Sequence, residues 1–475
     1  MALLLAALAL GVVGDVLAHV VPERLDAALA LGALVLALVA LDQSHAVRVP
    51  RSLTPLGLPL VLFGAALIWR DSPSLFGLNL LGVASVGLLA SPWLRAVGRR
   101  RAHPVDYLRG AAELGLGTAV GGPVLALSEV SWREVPSVGP LRRAGGAAIG
   151  LVLAVPVAMV FGGLLMQADP VFDRLMAGWL DGDLSILAEH VGLVLLGSWL
   201  AAGLLRELAR PTPDPARAAA PSVLGFTQVA VVLAVIDLLF LAFVAVQFRY
   251  LFGGSELVGE LTGLTWAEYA RRGFFELVTV AALALSLLLV ADALVGPGRR
   301  GGTRGFRGLA WLMLILLDVM LASALYRMRL YTVQFGLTEL RFYTTAFMGW
   351  LVLVFGWFGA TVLRGRRERF AGGAVLAGWL VLAGLNLLNP DGTIVQVNLA
   401  RARGGRPFDV AYAEGLSADA LPALARGLPG LPGPDACTAS FRLSEHWRRQ
   451  FVSPGRWTIS LARAPREPIG CGGSG

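Results

Sequence analysis

The 475-residue chain contains no lysine; all 40 of its basic residues are arginine. Without lysine there is no Walker-type phosphate loop and no Schiff base on a side-chain amine. Histidine occurs only five times, scattered, and cysteine twice, at Cys437 and Cys471. Neither residue recurs at metal-ligand spacing along the chain. There is no H-E-x-x-H helix and no G-x-S-x-G elbow. Charge is scarce as well, at 15% of residues, where soluble domains carry about a quarter. With 56% hydrophobic residues and a mean hydropathy of +0.69, this is the composition of a membrane protein.

The net charge of +8 and a pI near 10.2 raise nucleic acid as a partner. The arginines, however, fall mainly in short loops between apolar runs, where they act as topology determinants. The expected partner is therefore the lipid bilayer, with a membrane or periplasmic protein as a further candidate. Nucleic acid, metal and cofactor are not expected.

Runs of about 20 apolar residues span the ~30 Å hydrocarbon core. They occur at roughly 1–21, 25–41, 53–69, 75–94, 145–166, 185–205, 223–247, 272–294, 308–326, 342–363 and 371–389. The first lacks a basic n-region and a cleavage site, so it reads as a spanning helix rather than a removable signal. The Gly-rich stretch 107–127 carries Glu113 and reads as interfacial or re-entrant, with a twelfth span as the alternative. The expected fold is an all-α polytopic membrane protein of about eleven transmembrane helices. Its parts are a four-helix segment (1–94), an arginine-rich cytoplasmic or interfacial segment (95–144), a core of about seven helices (145–389) and a small, mostly helical extracytoplasmic tail domain (390–475). With the N-terminus inside, 21 arginines lie in inner loops and nine in outer loops, with ten in the tail. That bias favours N-in and C-out. In an exported tail, Cys437 and Cys471 are the candidate disulfide pair.

Charge near the outer boundary stands out. The stretch LTWAEYARRGFFEL reads as the start of the eighth helix, with Thr265 and Glu268 as a capping box. Glu268, Arg272 and Glu276 then share one helix face, with Arg271 beside them. The ninth helix ends in Tyr326-Arg327-Met328-Arg329, Gly336 reads as a break, and Thr338 reads as the N-cap of the tenth, with Glu339 and Arg341 following. Arg249 ends the seventh. Together Arg249, Glu268, Arg271, Arg272, Arg327, Arg329, Glu339 and Arg341 are expected to ring an outer mouth that meets a ligand or partner. Interfacial anchoring by snorkelling side chains is the competing reading. Asp237 and Asp318 lie mid-span, where a carboxylate costs about 2.5–3.5 kcal/mol on insertion scales. With Glu276 they are the candidate buried polar contacts, either as a proton or cation relay or as glue between helices. Asp15 and His19, one turn apart on the first helix, read as a packing pair. No residue is assigned a catalytic role.

Several long stretches carry a resemblance: FVAVQFRYLFGG (243–254), LTWAEYARRGFFEL (264–277), ALYRMRLYTVQFGLTELRFYTTAF (324–347), NPDGTIVQVNLARA (389–402) and DVAYAEGLSADALPAL (409–424). In this order they resemble a bacterial polytopic inner-membrane family known only as a domain of unknown function, of the DUF4173/DUF4153 kind, over roughly 145–425. The resemblance implies a multi-pass protein of the bacterial cytoplasmic membrane and brings no reaction, cofactor or catalytic residue. The leading expectation is a non-enzymatic transporter-like or envelope-partner module. The alternatives are an enzyme on a lipid-linked substrate, using Asp181 or Asp183 of the outer loop 167–184, and a sensor or scaffold.

Overall fold

The computed structural model describes residues 1–44, 50–98, 102, 104–125, 183–211, 226–252, 280–291 without 282 and 290, 300–430, 437, 440–445, 447 and 457–464. Among these residues every regular element is a helix. They are α1 (Ala2–Val20), α2 (Glu23–Gln43), α3 (Gly57–Trp69), α4 (Pro73–Leu89), α5 (Pro92–Val97), α6 (Pro104–Val124), α7 (Asp183–Ala209), α8 (Phe226–Phe252), α9 (Arg300–Phe335), α10 (Glu339–Thr361), α11 (Phe370–Leu388), α12 (Pro390–Arg403), α13 (Val410–Glu414), α14 (Leu421–Gly427) and α15 (Ile459–Arg463), with short 3₁₀ turns between some of them. Residues 280–291 are helical where described.

Seven helices among the described residues are long and apolar enough to cross a bilayer, and two further apolar helices, Pro73–Leu89 and Val229–Ala245, are shorter. These nine fall on nine of the eleven expected runs. Run 145–166 lies outside the described residues, and so does most of 272–294. The surface of these helices is apolar, with Leu36, Leu58, Leu81, Leu238 and Leu380 largely exposed. An exposed leucine carpet around buried polar groups is what a hydrocarbon solvent selects. The chain is a multi-pass membrane protein.

One row of packing runs α3–α4–α11–α10–α9–α8. Its core is Leu233, Leu317, Leu321, Leu351, Val354, Phe355 and Phe358. A second group sets α1 and α6 against α7, both antiparallel to it. Here glycines permit backbone contact: a Cβ on Gly11 would overlap Ser198 of α7, one on Gly203 would overlap the Thr118 carbonyl of α6, and one on Gly121 would stand 2.9 Å from Gly203 Cα. Such small-residue seams are the usual means of close helix approach in lipid. The stretch read as interfacial or re-entrant, 107–127, thus lies mostly in α6, an unbroken helix along α7.

The ninth expected span proves longer than its apolar run. α9 has 36 residues, or ~54 Å at 1.5 Å per residue. Tyr326-Arg327-Met328-Arg329 therefore lies inside the helix, which continues to Phe335 and breaks at Gly336 (φ 84°). Apolar length alone under-reads a helix that continues through polar and charged residues.

Gly203→Val should disrupt the α6–α7 seam by overpacking, at about 1–3 kcal/mol. Gly14→Val, where a Cβ meets nothing within 4 Å, should be silent. Thermal unfolding in detergent, followed by size-exclusion fluorescence, should show a lowered midpoint for the first variant alone.

Candidate functional site

The stretches around 324–347, 389–402 and 409–424 converge at one end of the bundle. The turn after α9 is held by α12: Arg401 donates through Nε to the Val333 carbonyl (3.0 Å) and through a terminal nitrogen to the Gln334 carbonyl (2.7 Å). Asn398 accepts from the Leu337 N–H (2.8 Å) and donates to its carbonyl (2.9 Å). Thr338 caps α10 as expected. Arg341 turns back to the Gly336 carbonyl and lies over the Tyr331 ring at 4.2 Å. Tyr412 of α13 accepts from the Glu339 N–H at 2.8 Å.

Beneath this clamp lie three buried aspartates from three distant parts of the chain. Asp71 follows α3, Asp391 opens α12 and Asp419 sits in the turn before α14; none is more than 3% exposed. Their positions follow from local chemistry. Asn389 ends α11 in the left-handed region (φ 50°), accepts from the Gly392 N–H to start α12, and donates to the Asp419 carbonyl (2.9 Å). Asparagine is among the few residues that tolerate that backbone. Ser417 caps the 3₁₀ turn Ala418–Ala420.

The carboxylates and backbone then interlock. Asp419 accepts from the N–H groups of Asp71 (2.8 Å) and Ser72 (3.0 Å). Asp71 accepts from the Ala418 N–H (3.0 Å). Asp391 accepts from both the Ser417 N–H (3.1 Å) and its hydroxyl. Arg70 stands 3.7 Å from Asp419 and Arg24 3.7 Å from Asp71. Arg70 also donates to the Asn386 carbonyl at the end of α11 (2.8 Å). One oxygen of Asp391 has no partner. Burial pushes its carboxyl up to about 6, with the Glu339 and Asp419 charges adding to the rise against the Ser417 hydrogen bonds.

The cluster borders an apolar groove. Ser72 meets the Tyr343 hydroxyl at 3.4 Å, and Ser74 donates to Glu339 at 3.3 Å. From Ser74 and Tyr343 a cavity of about 910 Å³ descends between α4, α10 and α11, walled by Leu78, Phe347, Trp350, Trp379 and Leu382. Both tryptophan N–H groups are satisfied, by the Ala374 carbonyl and by Ser85, so the wall presents hydrocarbon.

Of the expected mouth residues, Glu339 borders this site, while Arg341 serves the α9–α10 turn. Arg327 is buried and Arg329 exposed on α9. Arg249 lies on α8 with its side chain not described, and Glu268, Arg271, Arg272 and Glu276 lie outside the described residues, as do Asp181 and Cys471. Cys437 is exposed. Asp237 and Asp318 are on α8 and α9; both oxygens of Asp237, which is 2% exposed, and one of Asp318 are buried without a hydrogen-bond partner. Asp71 and Asp391 were not singled out from the sequence. The available signals were R-D-S-P and N-P-D-G beside apolar runs, where an acid opens or joins helices.

Residues 57–427 match the family model described as "Domain of unknown function (DUF4153)". The chain belongs to the DUF4153 family. No curated protein matches it, and neither does any solved structure. All three aspartates, Arg70, Tyr343 and the groove lie within the DUF4153 match, whereas α1, α2 and Arg24 precede it.

The raised Asp391 carboxyl fixes a pH dependence. The folded state holds a proton that the unfolded chain releases near pH 4, so stability is fullest below pH 4. It falls as pH rises to about 6 and then levels. The penalty is on the order of 3 kcal/mol. Asp391→Asn, which keeps an acceptor for Ser417, should flatten that part of the profile. The check is the wild-type-minus-variant difference in melting midpoint from pH 4 to pH 7.5.

Proposed function

We propose that this protein is a non-enzymatic module of the bacterial cytoplasmic membrane. It holds one acyl chain of a bilayer phospholipid in the groove between α4, α10 and α11, with the head group at the rim of Ser74, Tyr343 and Glu339. The groove carries the reading. Its walls are almost wholly hydrocarbon over about 910 Å³, yet it ends at a rim of hydroxyl and carboxylate groups. A chain with an oily tail and a polar end matches that gradient, since its burial contributes about 0.8 kcal/mol per CH₂. A hydrophilic solute would find almost no donors along the wall.

In this reading the rim faces outward and the N-terminus inward. Support comes from the grouping of loops. Arg24, Arg70, the turn at Gly336 and the tail gather at one end. Arg95 donates to the Arg210 carbonyl at the other end, where Arg206 and Arg210 hold buried Glu207. The arginine-rich loops thereby share the end assigned to the cytoplasm. The tail, α12 to α15, covers the rim and gives a surface for an envelope partner.

Two measurements test this. With Cys471 replaced by serine, Cys437 on intact spheroplasts should react with a membrane-impermeant maleimide, while a cysteine placed at Arg366 should react only after lysis; the reverse pattern inverts the orientation. In native mass spectrometry the wild-type protein should retain one phospholipid through mild delipidation. Gly378→Trp, which fills the groove, should reduce that occupancy by about tenfold with an unchanged elution profile. Equal occupancy in the two proteins overturns the lipid reading.

A further inference from the structure

Two of the five histidines, unpatterned along the chain, are brought together by the α1–α7 seam. Asp15 and His19 are one turn apart on α1, and His190 lies on α7. Their ligand atoms all fall within 4.8 Å of one another. His190 Nδ1 is 3.0 and 2.9 Å from the two Asp15 carboxylate oxygens. His19 Nδ1 is 3.4 Å from the same carboxylate, and the two imidazole rings lie 4.1 Å apart. Asp15 is almost buried while both imidazoles remain partly open.

We propose that Asp15, His19 and His190 form a binding site for a divalent first-row transition metal. Donors bound to zinc at 2.0–2.1 Å in a tetrahedron stand ~3.3 Å from each other. Two edges, 3.0 and 3.4 Å, lie close to that length, and the third is within 4.8 Å, a span that rotation of two partly exposed rings can shorten. Two imidazoles and a carboxylate suit zinc or a neighbouring ion rather than calcium or magnesium. Three protein donors leave a fourth position for water or an exchanging ligand, as in open rather than structural zinc sites.

An orienting shell is present as well. His19 Nε2 faces Glu189 of α7 at 3.5 Å. His19 Nδ1 donates to the Asp15 backbone carbonyl at 2.9 Å, a proton that metal binding displaces; a metal-binding histidine commonly donates its other N–H to a carboxylate, and Glu189 is placed to receive it from Nε2. Glu189 is a positioning residue in this arrangement. The backbone around the site is held by its glycines: Gly11, one turn before Asp15, packs against Ser198, and a Cβ on Gly197 of α7 would lie 3.2 Å from Gly11 Cα. The two walls therefore meet the metal without moving. None of these residues lines the α4–α10–α11 groove, and the site does not rest on the lipid reading.

The test uses the full chain carrying no histidine tag, stripped with chelator, reloaded with Zn²⁺ alone and desalted. Elemental analysis should find one zinc per chain in the wild type. Asp15→Asn and His190→Gln should each retain less than a tenth of that, with unchanged size-exclusion profiles. Glu189→Gln should weaken the affinity by about 10–100-fold. Co²⁺ substitution in the wild type supplies a readout free of any folding defect: visible bands of a four-coordinate nitrogen-oxygen site are expected. Absence of retained zinc in the wild type, equal retention in the variants, or the spectrum of hydrated Co²⁺ overturns the site.

Discussion

A carboxylate taken out of water must find donors, and at one end of this bundle three carboxylates find them in the backbone amides of neighbouring loops. Asp419 binds the amides of Asp71 and Ser72, Asp71 binds the amide of Ala418, and Asp391 binds Ser417. Each bond crosses between the membrane helices and the tail or ties α12 to it. The tail's own core of Ile394, Leu399, Leu424, Leu428 and Trp447 is small, and a unit of its size alone is marginal. The charge-assisted hydrogen bonds to the α3–α4 loop make it one structure with the bundle. Removing one partner of such a buried set strands the others, which costs more than the set contributes as a whole.

The same constraint orders the rest of that end. Arg70 spans Asp419 and the carbonyls at the end of α11, so the last apolar helix is held where α12 begins. Asn79 and Asn386 exchange amide hydrogen bonds between α4 and α11 at 3.0 and 2.9 Å. α4 and α11 cannot separate without opening both sets of contacts. The groove between them and α10 is therefore a fixed feature, and its rim is chemically continuous with the aspartate cluster through Tyr343 and Ser72.

Much of this architecture is legible in the sequence, because hydrocarbon imposes length and composition on each span. The runs near 53–69 or 371–389 could hardly be anything but spanning helices. Gly336 and Thr338 also announce a break and a cap, since their chemistry is local. The buried cluster is not legible. Asp71, Asp391 and Asp419 are more than 300 residues apart at their extremes, and an acid beside an apolar run looks the same whether it meets water or an amide. The end of α9 exceeds its apolar run for a related reason: arginines and tyrosines continue a helix without being apolar. The Asp15–His19 spacing was visible as a pair, but its third member depends on glycines that let α1 and α7 touch.

The length of α9 has a mechanical consequence. A rod of ~54 Å in a layer of ~30 Å could accommodate its excess by leaning. Here its far end is pinned by Asn398 and Arg401 and its flank is wedged against α10, where Trp311 fills the space over Gly359. It thus behaves as a strut, and an axial push at its Arg300 end is passed to the turn that Asn398 and Arg401 hold.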